Sequence, residues 1–351
     1  MPRYDRAALL AYAEALLTAG GMEPDKAATT AEVLVEGDMI GHETHGLQLM
    51  HWYLECLADG SLNGTGSYEV VADKGAGFVW DGRLLPGAWL LSQALDQAME
   101  RVATHGIVGA AIRNCHHTCA LSAYMRRATD RGLIVQLSAS NPAARRVAPY
   151  GGTRPVMTPN PLAMGFPTSG DPILVDVSAS ITTTTMTQLL AKKGERYPEP
   201  WALTAAGEPT DDPREVTERG GTLMALGGAA KGHKGYGLAL MVDLLGQGLS
   251  GKGRANTEAP GPLAQSAFLQ VIDPAFFAGL DAFTEQSDWL AEACRTNPPA
   301  PWARGPVRVP GDSASVKRRA ALAEGVPVAE TDVARMARHA ERLGVAPPAP
   351  L

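Results

Sequence analysis

Five short apolar runs, Tyr68–Ala72, Gly77–Trp80, Ile107–Ile112, Leu133–Leu137 and Ile173–Val177, punctuate the first half of this chain. Helix-length stretches with apolar residues at helical spacing, Trp89–Ala103 and Ala120–Ala128, lie between them. Alternating strands and helices bury their apolar faces against one another around a sheet, so the fold class expected is α/β. Asp73-Lys74-Gly75 between the first two runs reads as a hairpin turn. No G-x-G-x-x-G joins a strand to a helix and no G-x-x-x-x-G-K-[ST] occurs. A bound dinucleotide would therefore not use the common glycine loop.

The flanks are helical. Ala7, Leu9, Leu10, Ala13, Leu16 and Leu17 recur at helical spacing up to Gly20-Gly21. Pro24 and Asp25 open a second helix through Met39, and a third runs through Leu49, Tyr53 and Leu57 to Gly60. Segment 194–228 is rich in Pro, Gly and charge and reads as a long loop, followed by an apolar helix over Gly237–Leu249. Ala267–Ile272 reads as a strand, with helices near Asp288–Cys294, Ser315–Glu324 and Asp332–Leu343.

Composition narrows the functional classes. With 45% hydrophobic and 19% charged residues the chain can fill a core and is not disordered. A net charge of −6 argues against nucleic acid as a partner. No apolar run reaches the length of a membrane span, and the N-terminus lacks the apolar core of a signal peptide. Four cysteines in 351 residues make no disulfide framework, so a cytoplasmic, reduced setting is expected.

Four clusters could carry chemistry. Asp38, His42 and His45 fall on one face if the second helix persists, and Thr44 beside His45 could orient the imidazole, the side chain best suited to move a proton near neutral pH. Arg113-Asn114-Cys115-His116-His117-Thr118-Cys119 follows a buried strand; its spacing does not suit zinc, and no metal is expected. Lys231-Gly232-His233-Lys234-Gly235 precedes the apolar helix and reads either as an anion site, with glycines admitting a phosphate, or as a basic turn. Thr158-Pro159-Asn160-Pro161 reads as a stiff turn, and Asp176 at a strand end as a ribose acceptor or the N-cap of the next helix.

In this order the clusters resemble the type 2 malate/L-lactate dehydrogenase family, whose members include ureidoglycolate and sulfolactate dehydrogenases, 2,3-diketo-L-gulonate reductase and piperideine-2-carboxylate reductase. The family's Ser-His-Gly is matched by Thr44-His45-Gly46, and its Asn-His-Phe-Gly loop by His116-His117-Thr118-Cys119. Its Gly-Thr-Asn-Pro is matched by Thr158-Pro159-Asn160-Pro161, and its Asp-Met-Ala-Thr-Ser by Asp176-Val177-Ser178-Ala179-Ser180. Gly232-His233-Lys234-Gly235 and Pro310-Gly311-Asp312 match its last two motifs, so the likeness runs from about Tyr4 to about Val328.

The resemblance implies a non-Rossmann α/β fold with a mixed sheet, homodimers, and an NAD- or NADP-dependent oxidoreductase acting on a small 2-oxo/2-hydroxy acid or cyclic imine carboxylate. It implies an N-terminal helical region over 1–60, a catalytic and dimerisation domain over 61–125 plus 290–351, and a cofactor domain over 126–289. It places Thr44, His45 and His117 in catalysis. For the cofactor it offers His117, Thr118, Cys119, Ala120, Leu121, Pro159, Asn160, Asp176, Val177, Ser178, His233, Lys234, Gly235 and Gly311. Where the family often has a carboxylate-clamping Arg after its His, this chain has Gln48 and Leu49; Gln48, Arg113 and Arg145 are the substrate candidates. A chain without that Arg could alternatively be a non-catalytic binder of a nucleotide or metabolite. The apolar excess of the N-terminal helices (Leu9, Leu10, Leu16, Leu17, Val33, Leu34, Val35) points toward a partner chain.

Overall fold

The structure, a computed structural model, describes residues 1–351. Its centre is a seven-stranded sheet. In chain order the strands are β1 (Glu69–Asp73), β2 (Gly77–Asp81), β3 (Ile107–Cys115), β4 (Ile134–Ser140), β5 (Pro161–Phe166), β6 (Ile173–Ser178) and β7 (Gln265–Ile272). They lie side by side in the order β1-β2-β3-β7-β4-β5-β6. Only β2 and β3 run parallel; every other neighbouring pair is antiparallel. The expected mixed α/β sheet is therefore present, and its strands come from both the 61–125 and 126–289 segments. β5 was not expected. Pro159 and Pro161 suggest a turn, yet Pro161 is the strand's first residue, where a missing N–H is tolerated.

The helices of eight residues or more are α1 (Arg6–Ala19), α2 (Pro24–Met39), α3 (Met50–Asp59), α4 (Gly87–His105), α5 (Ser122–Thr129), α6 (Thr184–Lys193), α7 (His233–Asp243), α8 (Leu280–Arg295), α9 (Asp312–Glu324) and α10 (Glu330–Leu343). Period-two alternation assigns the two faces of the sheet. Val108, Ala110 and Ile112 of β3, Ala267, Leu269 and Val271 of β7, and Val135, Leu137 and Ala139 of β4 join the main core with α4, α5 and α2. Ser266 points the other way, beside Gly246 in the π-turn Leu244–Gly248 that extends α7.

Several expectations change here. α2 stops at Met39 and Gly41 turns left-handed (φ 83°), so His42 and His45 leave the helix and share no face with Asp38. Segment 194–228 is not a bare loop: Ala202–Leu203, Pro209–Thr210 and Thr222–Leu223 form a small sheet over a second core of Val147, Met157, Tyr197 and Leu223. The apolar residues of the N-terminal helices need no partner. Leu9, Leu16, Leu17, Val33, Leu34 and Val35 are buried within the chain and Leu10 packs partly against the same core. Large apolar side chains instead stand exposed along α7 and its π-turn, at Leu240, Met241 and Leu244. No helix is long and apolar enough to cross a membrane.

Candidate active site

The sheet topology brings scattered loops to one edge. Asp81, Cys115, Ser140 and Ser178 end their strands there, while Gln265 and Pro161 begin theirs there. Backbone neighbours at that edge confirm the register: Gln265 lies opposite Cys115, Ser266 opposite Ser140, and Pro161 opposite Ser178.

Above this edge stands His45, in a 3-10 turn (Glu43–His45) that follows α2. Thr44 Oγ1 lies 2.9 Å from His45 Nδ1. His45 Nε2 has no hydrogen bond within the chain, so the hydroxyl holds one ring nitrogen and leaves the other for a reacting group. The ring stacks on His117, centroids 5.7 Å apart and planes 23° apart. Burial pushes the His45 imidazole below its ordinary pKa, the nearby His42 adds to that, and the carboxylate of Asp176 opposes it.

His117 is fixed by its own loop. Its Nδ1 accepts the Cys119 N–H at 3.1 Å, which assigns the proton of the neutral ring to Nε2. Tyr53 OH donates to the His117 carbonyl at 2.8 Å. Burial, then His45 and His116, hold His117 well below the usual histidine range, so it stays neutral and can donate from Nε2. His116 points into the protein, packed on Trp52 with centroids 4.8 Å apart, and burial lowers its pKa to about 4.

The rest of the 118–121 loop is directed inward. Thr118 N–H and Oγ1 both approach Gln265 Oε1 at 3.2 Å, and its carbonyl accepts from Tyr124 OH at 2.7 Å. Cys119 Sγ meets Tyr53 OH at 3.2 Å, and Ala120 and Leu121 are buried. The side chains of Thr118, Cys119, Ala120 and Leu121 therefore support the site from within rather than line it. Burial pushes the thiols of Cys115 and Cys119 up to about 12, so both stay protonated and unreactive near neutral pH, and no three His, Cys, Asp or Glu residues cluster as a metal site.

Asp176 neither caps the next helix nor is wholly free. Its Oδ2 accepts the Ser122 N–H at 3.0 Å, at the start of α5, while Thr183 caps the next helix, α6. Its Oδ1 has no partner within the chain, and Val177 beside it is exposed. Ser178 Oγ turns back onto Ser180 at 2.7 Å. The Asn160 side chain does not face the site: it is fully buried, its Nδ2 donates to the Ala239 carbonyl at 2.9 Å, and its Oδ1 accepts from Thr158 and Ser140. It fastens the Pro159 loop to α7, and the Pro159 carbonyl accepts from Ala179 N–H at 2.9 Å.

α7 begins at His233, earlier than expected, so His233 and Lys234 occupy its exposed first turn. Neither Lys231 nor Lys234 pairs with a carboxylate. Gly235 does not admit a phosphate. It is buried, its N–H donates to the Leu226 carbonyl at 3.2 Å, and a Cβ there would lie 2.7 Å from the Ala179 carbonyl. Its lack of a side chain lets α7 press against the end of β6. Gly311 likewise packs on Pro172 and Leu174 at the start of β6, away from the Asp176 end.

The arginine candidates separate cleanly. Arg113 Nε donates to Asp81 Oδ2 at 2.9 Å and its NH1 to the Ser250 carbonyl at 3.2 Å, so it is committed to the fold. Arg145, in the loop after β4, has a buried NH1 with no partner in the chain. Gln48 is half-buried two residues beyond Gly46. Tyr53, Trp52, Gln265 and Ser140 also build the site, and sequence reasoning missed them. Only the period of α3 hinted at Tyr53; the others have no local signal.

A hydroxyl-oriented imidazole stacked on a neutral imidazole suits proton transfer to or from an oxygen or nitrogen. The free carboxylate oxygen of Asp176 and the lysine-bearing helix start suit a ribose hydroxyl and a phosphate.

The malate/L-lactate dehydrogenase family matches residues 4–337. The chain is 32% identical over 310 residues to an L-lactate dehydrogenase of Cupriavidus necator, covering 86% of this chain and 87% of that one. It is 31% identical over 328 residues to a Δ1-pyrroline-2-carboxylate/Δ1-piperideine-2-carboxylate reductase of Pseudomonas syringae pv. tomato, covering 90% of each. Its fold superposes on the crystal structure of malate dehydrogenase from Entamoeba histolytica with a TM-score of 0.89 at 21% identity, covering 98% of both chains.

Proposed function

The chain belongs to the malate/L-lactate dehydrogenase family, and from that membership and the His45–His117 pair we propose an NAD(P)-dependent oxidoreductase of a small 2-oxo/2-hydroxy acid or cyclic imine carboxylate. The observation that carries this reading is the Thr44–His45 couple: Nδ1 is held at 2.9 Å and Nε2 is left free. With Thr44 Oγ1 accepting from Nδ1–H, Nε2 bears the lone pair of the neutral ring and the transferable proton of the charged one. His45 thus gives a proton to the substrate oxygen or nitrogen in reduction and takes it back in oxidation. His117, neutral, orients the same atom by donating from Nε2.

The residues present fit a nicotinamide dinucleotide. Asp176 Oδ1 is open to a ribose hydroxyl, and Lys234 on the exposed first turn of α7 to a phosphate. The bound dinucleotide would supply the hydride. Arg145, whose NH1 is buried without a partner, takes the substrate carboxylate in place of the family's clamp, with Gln48 beside His45 as a neutral contact. The chain is also proposed to act as a homodimer.

The test is NADH and NADPH fluorescence and turnover with pyruvate, oxaloacetate and Δ1-piperideine-2-carboxylate. His45→Ala is expected to keep cofactor affinity and lose about 10²–10⁴ in kcat, the usual contribution of a general acid. Cofactor binding with no turnover on any of these would favour a non-catalytic binder, and a His45→Ala enzyme within about threefold of the parent would remove His45 from the chemistry.

A further inference from the structure

His45 sits on a segment with little structure of its own. Two single 3-10 turns, Glu43–His45 and Leu47–Leu49, meet at Gly46, and neither has a side-chain cap. Short 3-10 turns have poor hydrogen-bond geometry and need outside support. One side chain provides it. Asp38, in the last turn of α2, accepts the Leu47 N–H on Oδ2 at 2.9 Å. Its Oδ1 lies so close to Gly46 that a Cβ there would run into the carboxyl group. Gly37, one residue earlier, is also closely packed: a Cβ on it would lie 3.2 Å from both Gly46 Cα and the His45 carbonyl.

We propose that Asp38 is a positioning residue for the reaction: its carboxyl group pins the Gly46–Leu47 backbone and so sets the Thr44–His45 couple against His117. This rests on the reading of His45 as the proton-transfer residue. Asp38 itself contacts neither ring.

The anchor needs no charge, because the Leu47 N–H asks only for an oxygen acceptor. Asp38 is 6% exposed. Burial pushes its pKa well above the usual carboxylate range, the Leu47 amide opposes this, and the like charges of Asp332 on α10 and Glu43 on the loop add to it. Asp332 is itself paired to Arg335 at 3.3 Å, and Lys317 of α9 lies over Gly41. The C-terminal end of α2 further disfavours an anion. A carboxyl offers an oxygen to the Leu47 N–H in either protonation state, and so would an amide.

Asp38→Asn and Asp38→Leu separate an acceptor from mere volume. The readouts are the His45 side-chain ¹⁵N signals, identified by their loss in His45→Ala, and kcat with NADH or NADPH on pyruvate, oxaloacetate and Δ1-piperideine-2-carboxylate. Asp38→Asn is expected to keep the wild-type His45 signals and turnover within about threefold. Asp38→Leu is expected to shift those signals and lower kcat by about 10–100-fold with cofactor affinity unchanged, as misplacing a reacting group by about an ångström does. Wild-type His45 signals in a folded Asp38→Leu protein would overturn the proposal, as would an Asn variant as impaired as the Leu variant. Should Asp38→Leu fail to fold, Gly46→Ala forces the same separation with the carboxyl intact, and unaltered His45 signals in that variant would overturn it equally. If His45→Ala retains turnover, the assignment of His45 fails alone, and the ¹⁵N signals still judge Asp38.

Discussion

Replacing Thr44 with Val keeps shape and removes only the hydroxyl that meets His45 Nδ1 at 2.9 Å. Its magnitude follows from what that oxygen does. A neutral intramolecular hydrogen bond is worth about 0.5–1.5 kcal/mol net and one to a charged group about 1.5–3 kcal/mol. Through the transition-state relation these correspond to about 2–13-fold and 13–160-fold in rate. The ring passes between neutral and charged forms during the reaction, so a loss of about tenfold in kcat is expected, well short of the 10²–10⁴ for His45→Ala. Cofactor affinity should not change, because Thr44 acts on the ring. The pH profile carries a second signature. His45 already lies below the ordinary histidine value through burial, so reduction, which needs the charged ring, should fall as pH rises through that lowered pKa. Removing the oxygen that accepts from Nδ1–H disfavours the charged ring further, moving this limb to lower pH in Thr44→Val. Stopped-flow reduction at saturating cofactor across pH measures both, and Thr44→Ser should restore them. A Thr44→Val enzyme with wild-type kcat and an unmoved limb would refute the orienting role.

Arg145→Ala should lower kcat/KM by about 10–150-fold through loss of a charge-assisted bond to the substrate carboxylate, whereas Arg113→Ala should act mainly on thermal stability by freeing Asp81; equal catalytic losses would undo the distinction. His116, lowered to about 4 by burial, binds its proton more weakly folded than unfolded. Stability should therefore be full above about pH 6.5 and decline as pH falls toward 4, by roughly 3 kcal/mol at most; a urea midpoint for His116→Asn that follows the same acid decline as wild type would contradict this. Leu244, 67% exposed between Leu240 and Leu249, is the place to test assembly: Leu244→Glu should shift the light-scattering mass from twice to once the 36.9 kDa chain, and a fully active wild-type monomer would remove the dimer.

Local pattern determined much of this protein. Helical spacing gave α1, α2 and α4 nearly to their ends, and Gly60, left-handed at φ 77°, closes α3 where a glycine C-cap should. Buried apolar runs became β3, β4 and β7, and an apolar run at the sheet's edge became β6. Even the Thr44–His45 contact was legible, since adjacent residues in a tight turn have few ways to point. What the chain could not show locally depends on pairings across hundreds of residues. Gln265 reaches Thr118 only because β7 inserts between β3 and β4. The commitment of Arg113 to Asp81 follows from the parallel pairing of β2 with β3, which sets those residues opposite each other. Gly235 looks like a phosphate-binding glycine in sequence and is a packing glycine in space, because α7 must lie against Ala179. An unbroken helix would set Asp38 and His45 on one face; Gly41 ends that helix, and the carboxyl instead holds the returning chain at Leu47. Residue type and spacing fix which chemistry is available, but which polar atoms remain free to use it is decided by the long-range contacts that satisfy all the others.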